Sequence, residues 1–493
     1  MLDSKIKQYF PNEYVCKTSQ NYSIFEGKNI PSFIKDWLVK RYSDEFGNVD
    51  KNSINDFLEK HMPKDDKSIK KEIWEGEDKK ILARLIIEPD IKKDILKFSI
   101  PDIGIKLNEG RIEKYISKKY RELKSGEVWG VVTLTYNNLN KEKFIELVDF
   151  KSFAPYKVDL DYFKEARKYF TTQEWIDLLI RAMEYNPDGF SSLGQKITFL
   201  SRLLIFVEPR VNLIELAPKG TGKSYIFSKL SKYGWLISGG IVTRAKLFYD
   251  VSKNLPGVIV NYDYVAMDEI QTITLKNESE IAGALKSFLE SGTFSIANVR
   301  QTSNSSFIIL GNIPLDENNQ PFTNNYLEPL PKVFKESAFL DRFHGFIEGW
   351  KMPRINQSMI LQGNTLNVEY FSEILHLLRE DTTFSPIVDE LLEIPSNADT
   401  RDVKAIKRLT TAYMKLLFPH IKSVNDIDIK EFKFFCFDEA YTKRGIIRKQ
   451  ISLIDKEFKE ELPDIKIKNL SIQNIPPHKY QSNSRRYQSY QKK

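Results

Sequence analysis

The sequence predicts an α/β protein: a parallel sheet flanked by helices around a phosphate-binding loop, with a helical lid and an N-terminal α+β domain. Three observations carry this. A short apolar run, Leu213–Leu216, leads into a glycine turn and a helix-forming stretch. Two further apolar runs, Tyr264–Met267 and Phe307–Leu310, lack the alternation of a half-solvated strand, as strands buried on both faces do. Beyond residue 356 the apolar period becomes helical, at 369–380 and 400–418.

The first part of the chain reads differently. Residues 1 to about 75 are charged and mostly helical, with Phe33-Ile34 and Trp37-Leu38 as apolar faces. At 81–87, 94–100, 128–136 and 143–150 the runs are β-branched and aromatic, punctuated by Pro101-Asp102, Gly104, Gly110 and Ser125-Gly126. A small β-rich or α+β domain is expected there. Thr171-Thr172-Gln173-Glu174 has the spacing of a capping box, a hydroxyl at the N-cap and a carboxylate three residues on. The expected organisation is an N-terminal domain over 1–155, a helical linker over 156–195, a parallel-sheet core over 196–355, a lid over 356–460 and a disordered basic tail over 461–493.

Composition bounds the function classes. The 493 residues suffice for roughly three domains, and 41% apolar residues exclude a globally disordered chain. Lys and Arg total 74 against 67 Asp and Glu, a net +7. Residues 461–493 hold seven basic residues against two acids, so most of the excess sits in the tail. Two distant cysteines, Cys16 and Cys436, exclude a disulfide framework or a cysteine-rich zinc site. There is no apolar signal core and no membrane-length apolar run. A soluble, cytoplasmic protein with no membrane partner is expected.

The chemistry-bearing residues follow the strands. Ala217-Pro218-Lys219-Gly220-Thr221-Gly222-Lys223-Ser224 fits the P-loop pattern with Ala for the first glycine. Its glycines let backbone N–H groups turn inward around phosphates, Lys223 reaches the β- and γ-phosphates, and the Ser224 hydroxyl ligates Mg²⁺. Tyr225 completes the expected nucleotide set, with ATP and Mg²⁺ as the cofactors. Asp268 and Glu269 close the second apolar run, Asp268 to hold the Mg²⁺ shell and Glu269 to polarise the attacking water. Asn312 closes the third and is expected to orient the same water; an Asn in a turn before Pro314 is the plain alternative. Arg342, in Phe339-Leu-Asp-Arg-Phe-His344, is the candidate cation for a neighbouring subunit's γ-phosphate. Arg401 is the candidate lid arginine contacting the phosphates, against a solvated cation at a helix start. Asn298 and Arg300, in the hairpin-like Phe294–Gln301, are candidate DNA contacts. Tyr480, Tyr487 and Tyr490 among the tail's Lys and Arg suggest a further nucleic-acid contact or simply a soluble end.

Taken together, ELAPKGTGKSY, YVAMDEI, SGTFSIANVRQ, ILGNIP, AFLDRFHGFIEGW and TRDVKAIKRLTTAYMKLLFP resemble the Lon-like AAA+ ATPases of BREX phage-defence systems, the BrxL family. The resemblance covers about residues 5–460 and includes NEYVCK, EWIDLLIR and YTKRGIIRKQI. LESGTFSIANV, LDRFHG and RDVKAIKRL also resemble the pre-sensor hairpin, finger segment and sensor-2 helix of the MCM helicases. The resemblance implies an ATP-hydrolysing AAA+ module in homo-hexameric rings, single or stacked in pairs, encircling duplex DNA beside other BREX-type proteins. It also implies an N-terminal domain that contributes to DNA binding. Asn298 stands where the MCM hairpin usually carries Lys, and Glu348 interrupts what is more often Pro-Gly-Trp. The family usually continues into a Ser–Lys protease domain; too few residues follow 460 for one, so no peptidase activity is expected. An ATP-gated scaffold for other defence proteins and a protein unfoldase are the alternative functions.

Overall fold

The computed structural model describes residues 2–468 except 27–29, 31, 45–46, 63–67, 91–94, 121–122, 124–125, 139–141, 153–157, 253–254 and 297. The tail beyond Lys468, with its three tyrosines, lies outside the described residues. No described helix is long and apolar enough to cross a membrane.

The N-terminal region combines helices with a barrel. Helix α1 (Leu2–Tyr9) precedes a short strand β1 (Tyr14–Lys17), and helices α2 (Ser32–Arg41) and α3 (Lys51–His61) follow. Five strands, β2 (Lys79–Asp90), β3 (Ile95–Ile100), β4 (Ile105–Ile112), β5 (Gly126–Asn137) and β6 (Phe144–Ser152), close into a barrel in the order β2-β3-β4-β6-β5. All neighbours run antiparallel except β4 and β6, which are parallel, and a short helix, Lys114–Lys119, links β4 to β5. Phe98, Ile100, Ile112, Val132, Leu134 and Leu147 fill the interior. Closure removes the sheet edges that isolated strands would expose.

Helix α4 (Thr172–Ala182) carries the capping box the spacing predicts: Thr171 accepts from the Glu174 N–H, and Glu174 accepts from the Thr171 N–H. Next comes the central sheet, built from β7 (Asn212–Ala217), β8 (Gly234–Val242), β9 (Tyr264–Leu275), β12 (Ser306–Asn312) and β13 (Gly345–Glu348), all parallel, in the order β13-β7-β12-β9-β8. Helix α5 (Lys223–Lys229) follows β7, and helix α6 (Glu278–Ser291) leads into a hairpin of β10 (Thr293–Ile296) and β11 (Val299–Thr302).

The central strands are buried on both faces. On one side Leu213, Tyr264, Ala266, Ile308 and Leu310 pack with α4 and the C-terminal helices. Their neighbours in sequence, Ile214, Val265, Met267, Phe307 and Ile309, pack on the other with α6 and the hairpin. Each strand therefore serves two cores, and this is why its sequence shows no alternation. Strand β14 (Gly363–Leu366) pairs antiparallel with β1 and so ties the N-terminus to the C-terminal helices α7 (Val368–Glu380), α8 (Thr400–Leu417) and α9 (Asp438–Ile454).

Candidate functional site

The loop 217–224 sits at the carboxyl edge of the central sheet, where parallel strands present their chain ends. Gly220 (φ +83°) and Gly222 (φ +77°) are both left-handed, a conformation glycine adopts at little cost. A Cβ on Gly222 would lie 2.5 Å from the Tyr185 hydroxyl, whereas one on Gly220 would meet nothing within 4 Å, so the loop is backed on one side and open on the other. Ala217 finds its room against Gly349, where any Cβ would lie 2.2 Å from that of Ala217.

Three strand ends converge here. Lys223 Nζ donates to the carbonyls of Ala217 and Pro218 at 3.2 Å and to Asn312 Oδ1 at 3.3 Å. Burial holds this ammonium below the usual lysine range, with the Glu215 and Asp268 carboxylates opposing the shift. Ser224 Oγ donates to Asp268 Oδ2 at 2.5 Å, and Asp268 Oδ1 accepts from the Glu269 N–H at 2.8 Å. Asn312 is the register partner of Ala217.

Glu269 is exposed and left-handed at φ +51°. That is an uncommon conformation for such a residue, and strain of this kind gathers at functional sites. At this point the β8–β9 register breaks, between Asp268 and Ile273. The break releases the Glu269 backbone from the ladder.

No group of three or more His, Cys, Asp or Glu among the described residues could hold a metal alone. The Ser224–Asp268 pair fits Mg²⁺ all the same. This ion keeps several waters and takes one or two protein oxygens, with phosphate oxygens supplying the rest.

Several supporting residues escaped sequence reasoning. The Gln271 side chain brackets Asn312, donating to its carbonyl at 2.7 Å and accepting from its N–H at 3.4 Å. The fully buried Arg202 donates to both Glu215 oxygens, at 3.0 and 2.5 Å, and to the Thr221 carbonyl at 2.8 Å. An acid inside an apolar strand, Leu213-Ile214-Glu215-Leu216, was its only signal. The Tyr225 hydroxyl donates to the Glu184 carboxylate. Lys17 Nζ bridges Glu184 Oε1 at 2.5 Å and Asp36 Oδ1 at 3.0 Å, while the Tyr22 hydroxyl and the Val368 N–H donate to Asp36 at 2.6 and 3.1 Å. Buried ions thus join the N-terminal region, the loop helix and α7. Lys219, within the loop, is exposed.

Arg342 and Arg401 lie together and at the opposite edge. The Arg342 carbonyl accepts from Asn212 Nδ2 at 3.2 Å, at the amino end of β7. Ala217 lies five residue steps beyond Asn212, roughly 17 Å of strand. Glu290 Oε2 takes both Nε groups, of Arg342 at 3.3 Å and of Arg401 at 3.1 Å, and Arg401 Nη1 donates to Asp341 at 2.9 Å. Arg342 also donates to the Ala338 carbonyl. None of these partners belongs to the loop of the same chain. Buried Arg444 fixes the pair from behind through Asp341, Asp402 and the Phe343 carbonyl.

In the hairpin, Phe294 and Ile296 are buried while Asn298 and Arg300 are exposed. Arg300 borders a shallow cavity of about 230 Å³ against Gly283, Ala284 and Ser287 of α6.

A mixed α/β protein with a parallel sheet between helices, whose residues 145–464 match an ATPase-domain family, is the class these features define. The match is to the family described as Lon-like protease BrxL-like, ATPase domain, and residues 8–136 match BREX system Lon protease-like protein BrxL N-terminal. The chain belongs to the BrxL family. It is 28% identical over 426 residues to Lon-like protease BrxL of Escherichia coli O9:H4 (strain HS), covering 85% of this chain and 60% of that protein. It is also 28% identical over 443 residues to Lon-like protease BrxL of Bacillus cereus (strain H3081.97), covering 87% and 64%. The chain thus spans less than two thirds of either relative.

Proposed function

We propose that this chain is an ATP-hydrolysing AAA+ module that works as a homo-oligomeric ring on duplex DNA in BREX-type defence. The observation that carries the reading is the convergence of Lys223, the Ser224–Asp268 pair and Asn312 at one strand edge. In it the open face of Gly220 and the loop N–H groups receive the triphosphate, and Lys223 leaves its carbonyl contacts for the phosphates. Ser224 and Asp268 would hold Mg²⁺, which would supply neutralisation of the charge on the phosphate oxygens. Glu269, turned out of the ladder, accepts a proton from the attacking water, which Asn312 orients.

Arg342 and Arg401 sit too far from their own loop to serve it. At the amino edge, both are available to a triphosphate bound by an adjoining copy, and a ring is the closed arrangement that gives every site such a donor. Mixing Lys223→Ala and Arg342→Ala chains is expected to restore part of the ATPase that each lacks alone.

Two features support DNA as the partner. A five-stranded barrel whose third and fifth strands run parallel, with a helix between the third and fourth, has the order of oligonucleotide-binding barrels. Exposed Arg300 on the hairpin supplies a cation suited to phosphates. ATP hydrolysis is expected to rise with duplex DNA at low salt and to vanish in Lys223→Ala. Hydrolysis indifferent to DNA at low salt would remove the DNA reading and leave the ATPase one standing.

A further inference from the structure

We infer that Arg202 is the positioning residue of the nucleotide loop; this rests on the proposed reading of 217–224 as that loop. Arg202 is fully buried, and its guanidinium lies 5.0 Å from the Phe199 ring centre. Two of its arms grip Glu215, in the middle of β7 and equally buried. Such a pair is a poor device for stability alone, because apolar residues of similar volume usually do as well. What no apolar pair supplies is the third arm, the Nη1 hydrogen bond to the Thr221 carbonyl at 2.8 Å.

That bond sets a direction. The peptide joining Thr221 to Gly222 is planar and trans, so its C=O and N–H point opposite ways. With the Thr221 carbonyl drawn inward to Arg202, the Gly222 N–H is turned outward, to the side where a phosphate is received. The Thr221 hydroxyl, donating to the Pro218 carbonyl at 3.3 Å, braces the same peptide from within the loop.

The test is MgADP binding by titration calorimetry, with ATPase kinetics and thermal unfolding on the same full chains. The double variant Arg202→Met with Glu215→Leu removes the buried charges as a pair and keeps the volume, so its unfolding temperature is expected to stay close to the parent's. Losing a charge-assisted hydrogen bond to the loop is expected to weaken MgADP about 10- to 100-fold. KM for ATP should rise by a similar factor, while kcat at saturation changes by less than about threefold, because Asp268, Glu269 and Asn312 are untouched. Arg202→Lys keeps a cation for Glu215 without the third arm and is expected to show the same rise in KM, which covers the case of a double variant that folds poorly. A parent that binds MgADP alongside either folded variant binding it equally well overturns this inference alone. A parent without affinity for MgADP overturns the nucleotide-loop reading, and this inference falls with it.

Discussion

Lys17→Met should open the junction between the N-terminal region and the loop helix. Lys17 forms ion pairs with both Asp36 and Glu184, the three side-chain exposures being 8%, 0% and 16%. Removing one partner of a buried pair costs ~3–5 kcal/mol, since the other charge stays buried. Here the carboxylates keep other donors: Tyr22 and the Val368 N–H on Asp36, Tyr225 and Ser32 on Glu184. The low end, ~3 kcal/mol, is therefore expected at pH 7.5. At that cost the locally open population rises about a hundredfold.

The pH dependence has a definite sign. In the parent, burial raises the Asp36 carboxyl; burial also pushes Glu184 up, but the charge and hydrogen bond of Lys17, together with hydrogen bonds from Tyr225 and Ser32, outweigh it and hold Glu184 below the usual range. Without Lys17, burial is opposed chiefly by the remaining hydrogen bonds, from Tyr22 on Asp36 and from Tyr225 and Ser32 on Glu184, and both carboxyls shift up. The native variant then binds more protons than its unfolded form, so its deficit is greatest at neutral pH and shrinks as pH falls toward 5.5. The assay is amide hydrogen exchange at residues 14–17 and 363–366, as the ratio of variant to parent at each pH. A ratio below about three at pH 7.5, or one that grows as the pH is lowered, refutes the reasoning.

Glu269→Gln is expected to bind ATP like the parent and to hydrolyse it about 10²–10³-fold more slowly, read by single-turnover kinetics; comparable turnover would remove Glu269 from the reaction. Gln271→Ala frees the Asn312 backbone from its bracket and is expected to lower kcat about five- to tenfold with nucleotide affinity unchanged; a loss of affinity instead would assign Gln271 to binding. His376, stacked on Tyr233, holds Asp263 at 2.6 Å. Burial lowers its pKa, but the Asp263 hydrogen bond and charge more than offset this, and the net shift is upward. A raised histidine stabilises below its unfolded value and loses that contribution as pH rises through the folded one. His376→Gln should therefore melt below the parent at pH 6 and close to it at pH 8.5, and a larger gap at pH 8.5 would contradict the assignment.

Local chemistry was legible in the chain. The turn Ala217–Gly222, the acids closing Tyr264–Met267, Asn312 at the end of Phe307–Leu310 and the Thr171–Glu174 cap are each written within a few consecutive residues. Backbone propensity, burial on both strand faces and capping all act over that range. The sequence also marked Arg342 and Arg401, without showing that they share Glu290.

Tertiary structure alone decided what those groups meet. It closed the barrel, set Arg342 and Arg401 at the edge away from their own loop, joined Arg202 to Thr221, and bound Lys17 to Glu184 behind Tyr225. The physical reason is that a periodic pattern records which face of an element is buried, and not which distant charge lies against it. A buried ion takes its partner from whatever the packing brings within hydrogen-bond reach, so these pairings became visible only once the elements were in place.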